Sequence, residues 1–164
     1  MGVVRTERLL LRPFDVEEAA GVVAGLPVPG IPWARDYPDA EDIGGLRGFL
    51  ARCEVDGEPQ PFGAYQIVRS SDGLAIGGMG FHGPPDAEGA VTIGYGVVPS
   101  ARGHGYAKEA LRGLITLARG LRVRCVRGDT SHDNTASQRV MVAAQMVLVR
   151  QDGESKYYEI TWDR

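Results

Sequence analysis

The residues best suited to chemistry lie in one short segment, where two glycines bracket a histidine. Gly103 and Gly105 flank His104, and the full run is Arg102, Gly103, His104, Gly105, Tyr106, Ala107 and Lys108. Glycine has no Cβ, so the backbone here can turn sharply and come close to a bulky anion. A helix start after such a turn adds unpaired N–H groups and the positive end of a dipole. The segment therefore predicts a phosphate-binding loop.

The residues around the loop have the patterns of a strand before it and a helix after it. Residues 90–98 read as the strand. Apolar residues then recur at i, i+3, i+4, i+7, i+8 and i+11, namely Ala107, Ala110, Leu111, Leu114, Ile115 and Ala118. This period predicts an amphipathic helix that ends at Gly120, followed by a short strand over 123–126. A loop held between a strand and a helix has its donors fixed in advance.

Two common phosphate loops do not fit this segment. The chain contains no Gly-Lys-Ser or Gly-Lys-Thr, so the P-loop of nucleotide triphosphatases is absent. The dinucleotide pattern G-x-G-x-x-G starts at Gly103 and Gly105, but Lys108 stands where its third glycine should allow close helix packing. A nucleotide triphosphatase and a Rossmann domain are both disfavoured.

The remaining elements follow a mixed α/β order. We expect strands over 9–13, 62–69 and 74–81, and a closing hairpin of 147–151 and 156–162 around Asp152 and Gly153. Helices are expected over 15–24, from a cap at Asp39 through Cys53, and over 135–146. The loop between the first two helices carries aromatic and acidic residues.

Motifs outside the loop match the same known pattern as the loop itself. The run 102–107 resembles the Q/R-x-x-G-x-G/A signature of the GNAT superfamily of acyl-CoA-dependent N-acyltransferases, and 93–97 resembles its preceding strand. Further matches at 6–13, 76–81 and 134–140 resemble the branch that includes the ribosomal-protein N-terminal acetyltransferases (RimJ/RimL type). The resemblance implies one α/β (α+β) domain over 1–164, with a central mixed, mostly antiparallel twisted sheet, splayed at the cofactor strand, and about four flanking helices.

The resemblance also implies the ligands. Acetyl-CoA is the expected cosubstrate, and a primary amine on a protein N-terminus or a small molecule is the expected acceptor, with direct transfer in a ternary complex and no metal. The backbone of residues 102–108 would bind the pyrophosphate. Backbone groups of Val97, Val98 and Pro99 would bind the pantetheine arm and polarise the thioester carbonyl. Gly94 and Gly96 are consistent with a bulge in this strand.

The position expected to remove the amine proton departs from the family pattern. Many relatives carry a glutamate where this chain has Thr92, and threonine cannot take a proton near neutral pH. His82 is the best-placed alternative because an unperturbed imidazole titrates near pH 6.5. Asp86 and Glu88 are less favoured, and His82 can also be read as a solvated turn histidine.

The leaving thiolate raises a similar question. Many relatives place a tyrosine seven residues after the asparagine that corresponds to Asn134, and this position is Met141 here. Ser137 stands where the branch commonly carries a serine, and its hydroxyl can donate a hydrogen bond to the CoA sulfur. The alternative is that Asn134 only caps the last helix. Gln145 and Met146 replace the usual Gly-Phe after that helix, which leaves open how the helix ends.

The acceptor pocket is expected between the loop of the first two helices and the final hairpin. Trp33, Tyr37 and Phe81 are its candidate substrate contacts. Four carboxylates nearby, those of Asp36, Asp39, Glu41 and Asp42, could attract a cationic amine. Capping of the second helix explains the same carboxylates equally well.

Composition sets the remaining limits. The 164 residues are 43% hydrophobic, enough for one core, and the net charge of −3 with a pI near 5.6 argues against a nucleic-acid partner. We expect no secretion signal and no membrane span, hence a cytoplasmic protein, and the resemblance is compatible with a homodimer. A rival hypothesis, motivated by Thr92 and Met141, is an acyl-CoA-binding sensor module of the same fold without turnover.

Overall fold

The computed structural model describes residues 2–162, and the residues up to Val97 form five strands and two helices. The strands are β1 (Val4–Arg5), β2 (Leu9–Pro13), β3 (Ala64–Arg69), β4 (Ala75–Phe81) and β5 (Ala90–Val97). Helices α1 (Val16–Val23) and α2 (Ala40–Asp56) separate β2 from β3. Both helices begin with a capping box: the Asp15 carboxylate accepts the Glu18 N–H, and that of Asp39 accepts the Asp42 N–H.

The described residues after Val97 hold the remaining elements. A short 3-10 turn (Pro99–Ala101) leads from β5 towards α3 (Tyr106–Gly120), which is followed by β6 (Cys125–Ser131), α4 (Thr135–Ala143), β7 (Val147–Gln151) and β8 (Ser155–Thr161). The predicted apolar face of α3 is buried, through Ala110, Leu111, Leu114, Ile115 and Ala118. No helix among residues 2–162 has the length and apolar character needed to cross a membrane.

The strands form one sheet in the order β1-β2-β3-β4-β5-β6-β8-β7. Its ladders are antiparallel except between β5 and β6, which run parallel. Helices α2 and α3 lie on opposite faces. Asp42 of α2 lies against Gly78, whereas Gly113 of α3 lies against Leu11, and the strand register gives these two strand positions opposite directions. The predicted fold class is confirmed.

The sheet opens between β5 and β6. The two strands pair from Ala90 and Cys125 as far as Thr92 and Arg127, and there the ladder stops. Beyond it, β5 stays paired with β4 while β6 stays paired with β8. This separation is the predicted splay of the cofactor strand.

The predicted bulge in β5 is wrong. The ladder between β4 and β5 runs from Gly77 opposite Val97 to Phe81 opposite Ile93 without a shift in register. Gly94 and Gly96 therefore serve another purpose: side chains of other elements lie against the space where their Cβ atoms would be. The glycines make room for a cavity above the strand.

Several element boundaries also differ from expectation, and the largest difference is at β6. The strand expected over 123–126 begins at Cys125 and continues to Ser131, because β8 pairs with it over its whole length. Its later residues alternate between buried and exposed positions and are mostly polar, so the sequence shows no apolar run that would predict this part of the strand. The two-residue strand β1 had no apolar pattern to predict it.

Helix α4 ends at Ala143 rather than at 146. Gln145 adopts the left-handed conformation, with φ of 70°, and donates its N–H to the Val142 carbonyl. Met146 is buried and donates its N–H to the Met141 carbonyl, 3.0 Å away. These two bonds form a Schellman motif, in which glycine is the usual left-handed residue. Gln145 and Met146 thus end the helix in the way that Gly-Phe would.

Candidate active site

The predicted phosphate loop has a row of unused donors. Gly103 and Gly105 adopt φ of 83° and 78°, a left-handed conformation that a residue with a Cβ adopts only with strain, and Gly105 caps α3. The backbone N–H groups of residues 103–108 have no acceptor in the described part of the chain. They lie at the positive end of the α3 dipole. The loop can therefore accept an anion without breaking any internal hydrogen bond.

An arginine from the start of the chain holds this loop in place. Arg8 donates from Nη1 to the His104 carbonyl at 2.8 Å and from Nε to Glu109 Oε1 at 2.7 Å. Its guanidinium also lies 4.5 Å from the centre of the Tyr106 ring. On the other side of the loop, Arg102 Nε donates to the Val97 carbonyl at 2.9 Å. The loop is therefore anchored on both sides.

A cavity of about 390 Å³ extends from the loop along the splayed part of β5. We call it the cofactor cavity. Nine of the predicted cofactor contacts line it: Val97, Arg102, Gly103, Gly105, Tyr106, Ala107, Lys108, Asn134 and Ser137. The sequence thus located most of one continuous surface, contributed by β5, the loop, α3 and the start of α4.

Three predicted cofactor contacts lie elsewhere among the described residues. Val98 is fully buried, and its N–H is donated to the Ile76 carbonyl at 2.9 Å, so this amide serves the sheet. Pro99 has no N–H and begins the 3-10 turn. The exposed ring of His104 rests 5.6 Å from the Tyr106 ring, while its carbonyl is held by Arg8.

The backbone N–H groups of β5 that point away from β4 belong to its odd-numbered residues. The His82 N–H is donated to the Thr92 carbonyl and the Val98 N–H to the Ile76 carbonyl, so the even-numbered residues of β5 bond to β4. Hydrogen-bonding direction alternates along an antiparallel ladder. The amides of Tyr95 and Val97 therefore face the gap that β6 has left.

A second cavity, of about 310 Å³, lies between α2 and the glycines of β4 and β5. We call it the acceptor cavity. Its lining shares three residues with the cofactor cavity: Glu41, Tyr95 and Gly96. Glu41 Oε2 lies 3.3 Å from the position that a Cβ on Gly96 would take. The two cavities therefore meet above Gly96, beside the free amides of the splayed strand.

Comparison with known proteins decides the family. A family model described as an acetyltransferase (GNAT) domain matches residues 8–147. The chain belongs to the GNAT acetyltransferase family. An uncharacterized N-acetyltransferase of Bacillus subtilis strain 168, YjdG, is 32% identical over 163 residues, which cover 96% of this chain and 97% of the relative. The family predicted from the sequence motifs is confirmed, and with it an acetyltransferase enzyme.

Solved structures of GNAT proteins share the fold over nearly the full chain. RimL, a ribosomal L7/L12 α-N-protein acetyltransferase solved in complex with coenzyme A, matches with a TM-score of 0.69 at 17% identity, covering 98% of each chain. A ribosomal-protein-S5-alanine acetyltransferase from Vibrio fischeri matches with a TM-score of 0.69 at 14% identity, covering 98% of this chain and 97% of the other. The structural neighbours thus include proteins of the branch that the sequence resembles.

The predicted base, His82, lies in the acceptor cavity of this GNAT domain. Its Nε2 is 3.2 Å from the position of a Cβ on Gly94. The residue as a whole is exposed, as a turn histidine would be, but partial desolvation of its ring lowers the His82 pKa below its usual range, and the charge of Arg52 lowers it further. Gly94 precedes Gly96 by two residues, roughly 7 Å along a strand. His82 is therefore neutral near pH 7 and is set back from the meeting point of the cavities.

The Asp42 carboxylate, predicted from the sequence only to attract an amine or to cap the helix, is better placed than His82 to remove a proton where the cavities meet. Asp42 lines the acceptor cavity, and its Oδ1 is 3.3 Å from the position of a Cβ on Gly78. Its Oδ2 accepts the Asp39 N–H at 3.0 Å, as the capping box requires. Burial, reinforced by the neighbouring carboxylates, raises the Asp42 pKa to about 7. A carboxyl group with this pKa can take a proton at neutral pH.

Asp86 and Glu88, the less favoured candidates, are engaged elsewhere. Both form ion pairs with Arg127, at 3.4 and 3.3 Å. Asp86 also accepts the N–H groups of Glu88 and Ala90, which fixes the turn before β5. Their contacts are those of a structural turn.

Tyr95 and Ser137 form a hydroxyl pair near the place where the two cavities meet, which we call the junction. The Tyr95 hydroxyl lies 3.0 Å from Ser137 Oγ and donates to the Ser137 carbonyl at 3.2 Å. Burial raises the Tyr95 pKa, so the phenol stays protonated at neutral pH. The Asn134 side chain accepts the Ser137 N–H at 3.0 Å and caps α4. Asn134 therefore caps the helix that presents Ser137, and it lines the cofactor cavity as well.

The predicted acceptor contacts divide into two groups. Tyr37 and Phe81 line the acceptor cavity. Trp33 packs edge-to-face against Tyr37, with ring centroids 5.9 Å apart, and is absent from the described residues that line either cavity. Tyr37 is also held by a hydrogen bond from Gln66 Nε2 at 3.1 Å. Trp33 is thus placed to support the ring of Tyr37.

Proposed function

We propose that this protein transfers the acetyl group of acetyl-CoA to a primary amine, on a protein N-terminus or a small molecule, by direct transfer in a ternary complex. The observation that carries the proposal is the meeting of two cavities above Gly96, at the point where β5 has left β6. One cavity ends on a row of unpaired N–H groups, and the other contains two carboxylates of α2. An amine and a thioester can therefore approach each other at one place.

The cofactor cavity fits the chemistry of coenzyme A. The unpaired N–H groups of residues 103–108 suit a pyrophosphate, which needs several donors at a helix start. The amides of Tyr95 and Val97 face the gap in the sheet, where an extended pantetheine arm would replace the missing strand. A free amide of this kind also stabilises the negative charge that develops on a carbonyl oxygen under attack, worth about 2.7 to 4 kcal/mol.

Names of relatives support an amine acceptor. RimL is named as an α-N-protein acetyltransferase, and the Vibrio fischeri neighbour as acting on an alanine of ribosomal protein S5. In this chain, the Glu41 carboxylate places a negative charge in the acceptor cavity, at the junction with the cofactor cavity. An ammonium group is attracted there, whereas a carboxylate or phosphate is repelled.

Asp42 is the residue that we assign to proton removal. Its raised pKa matches the task, and it lies one residue from Glu41 in the same cavity. An α-amine with a pKa near 7.8 is already about one-tenth neutral at pH 7, whereas a lysine amine is neutral in only about one molecule in a few thousand. A base of modest strength therefore suffices for α-amines, and these are the favoured acceptors.

Ser137 and Tyr95 are the groups that we assign to the leaving thiolate. Ser137 presents its hydroxyl to the cofactor cavity, and Tyr95 can pass a proton or a hydrogen bond to it. We expect Ser137→Ala and Tyr95→Phe each to lower kcat by on the order of tenfold, because a thiol of pKa near 8.5 leaves with limited help. Steady-state rates of the two variants and of the double variant measure this effect.

The double variant distinguishes a connected pair from two separate contributions. If the hydroxyls act as one unit, the double variant loses little more than either single variant. If the fold-losses of kcat in the two single variants multiply in the double variant, the hydroxyls act independently. Melting temperatures of all three variants provide the control for loss of fold.

Release of CoA thiol from acetyl-CoA across a panel of amines tests the proposed function. The panel contains N-terminal peptides, amino acids, polyamines, aminoglycosides and amino sugars. We expect thiol release with acceptors that carry an α-amine. If acetyl-CoA raises the melting temperature but no amine releases thiol, the sensor module without turnover becomes the better reading.

A further inference from the structure

The acceptor cavity has an acidic end and a basic end. Glu41, Gly45, Gly48 and Arg52 are spaced i, i+4, i+7 and i+11 on α2, so they share one face of the helix, and all four line the cavity. Glu41 lies at the end shared with the cofactor cavity. Arg52 lies towards the other end, with its Nη1 3.3 Å from the position of a Cβ on Gly48. The cavity is therefore acidic at the reaction centre and basic away from it.

Arg52 has no partner that would explain its place in the cavity. The side chain is partly buried, and no carboxylate or carbonyl oxygen among residues 2–162 accepts a hydrogen bond or ion pair from it. The other arginine at a comparable place on α2, Arg47, points to solvent. A guanidinium presents a planar fork of donors that matches a carboxylate or a phosphate.

His82 adds a second donor near this end of the cavity. Desolvation lowers the His82 pKa most, and the charge of Arg52 lowers it further, by more than the charge of Asp129 raises it. Both side chains therefore lie within electrostatic range of each other. A neutral imidazole that lines the same cavity as a guanidinium can donate one hydrogen bond to an anion without adding a second positive charge.

We propose that Arg52, assisted by His82, binds an anionic group of the acceptor, so that the preferred acceptor is an amine with a carboxylate several ångströms away. This inference rests on the proposed function. It adds a substrate class. An acceptor without an anionic group would leave Arg52 unpaired, and a polycationic amine would be repelled by the arginine charge.

Helix geometry sets the spacing between the two groups. The seven residues from Glu41 to Gly48 span about 10 Å along the helix axis. Hydrogen bonds of about 3 Å at each end leave about 4 Å between the amine and the anion when both bonds lie along the axis, and about 10 Å when both are perpendicular to it. Two extended residues span about 7 Å. The acceptor is therefore a dipeptide with a free carboxylate, or a longer peptide with an acidic side chain at its first or second residue.

Two matched pairs of acceptors test the anionic group and distinguish its sources. The first pair is alanyl-alanine and its C-terminal amide. The second is an Ala-Xaa-Ala amide with aspartate or asparagine in the middle. We expect kcat/KM, measured by CoA thiol release, to be at least tenfold higher for the anionic member of one or both pairs. Preference in the first pair indicates a small peptide, and preference in the second indicates a protein N-terminus.

The arginine itself is tested with a charge-matched control. Arg52→Gln should bring the ratio of kcat/KM between anionic and neutral acceptors to within about twofold, whereas Arg47→Gln, which removes the same charge from the exposed face, should keep the wild-type ratio. Arg52→Lys should retain part of the preference, because a lysine keeps the charge but loses the planar fork.

The outcomes separate this inference from the proposed function. Equal acetylation of both members of each pair by the wild type overturns the anion site and leaves the N-acetyltransferase intact. A preference that survives in Arg52→Gln also overturns the assignment to Arg52. If the wild type acetylates no amine of either pair or of the wider panel, the proposed function fails, and the substrate class fails with it.

Discussion

Replacing Asp42 with asparagine should lower kcat by about a hundredfold. General-base catalysis contributes roughly 10² to 10⁴ in rate, and the lower end applies because an α-amine is partly neutral without help. Asparagine has nearly the same shape, and its Oδ1 can still accept the Asp39 N–H that closes the capping box. The loss therefore reports on the proton rather than on the helix start. Steady-state kinetics with an α-amine peptide and saturating acetyl-CoA measure it.

Glu41→Gln provides the contrast for this variant. Glu41 lies beside Asp42 at the junction and is more exposed. We assign it to attraction of the ammonium group, so its loss should appear mainly as a higher KM for the amine. If Glu41→Gln instead reproduces the loss of kcat and Asp42→Asn leaves kcat near the wild-type value, Glu41 is the base.

The pH profile gives an independent test of Asp42. Because its pKa is about 7 in the folded protein, the base form gains population as pH rises through 7. The value of kcat/KM should therefore rise with pH and level off above 8. Titration of the acceptor amine produces a rising limb too, but that limb moves when an acceptor of different amine pKa is used. The limb due to Asp42 stays in place and disappears in Asp42→Asn.

The same pKa shift predicts a cost in stability. The folded state raises the Asp42 pKa from 3.8 to about 7, so the folded state binds more protons than the unfolded state between these values. Stability is then lost as pH rises through this window, by up to about 4 kcal/mol above pH 7. Asp42→Asn should recover much of this free energy at pH 8 and little at pH 4. Urea unfolding at the two pH values would measure it, and equal effects at both would contradict the shift.

The sequence predicted the cofactor half of the site better than the acceptor half. The loop carries its own signal, since glycines at two fixed positions before an amphipathic helix define both the turn and the donors. Arg8, which donates to the His104 carbonyl, precedes the loop by about a hundred residues. It belongs to the 6–13 motif, which is recognised only by its resemblance to the family. Its role became visible when β2 and α3 were brought together by the sheet.

The acceptor half depends on tertiary contacts that local patterns do not show. Asp42 reads as an ordinary capping-box carboxylate, and only its approach to Gly78 buries it. In the sequence, Tyr95 is one of several aromatic residues in strands. Only the separation of β5 from β6 shows that its hydroxyl faces α4. Arg52 reads as a solvent-facing helix residue, because the glycines that open the cavity beneath it lie one and two turns earlier.

The second large effect is expected at the phosphate loop, where Gly103→Asp should raise the Kd for acetyl-CoA by about a hundredfold. Gly103 has φ of 83°, and a Cβ there would meet no other atom within 4 Å. Aspartate and asparagine tolerate the left-handed conformation better than most residues. The aspartate charge would face the same N–H groups as the pyrophosphate. Two like charges about 4 Å apart repel by roughly 1 to 4 kcal/mol between water and a protein surface.

Gly103→Asn separates this repulsion from the change of shape. Asparagine has the size and backbone preference of aspartate without its charge, so the Kd should rise by no more than about tenfold. Titration calorimetry with acetyl-CoA at low and high salt measures both variants, and only the aspartate effect should shrink as salt screens the charges. Equal weakening by both variants would show that the loop excludes side chains by shape alone. Unchanged binding in both would place the pyrophosphate away from Gly103, and the unpaired N–H row would then need another ligand.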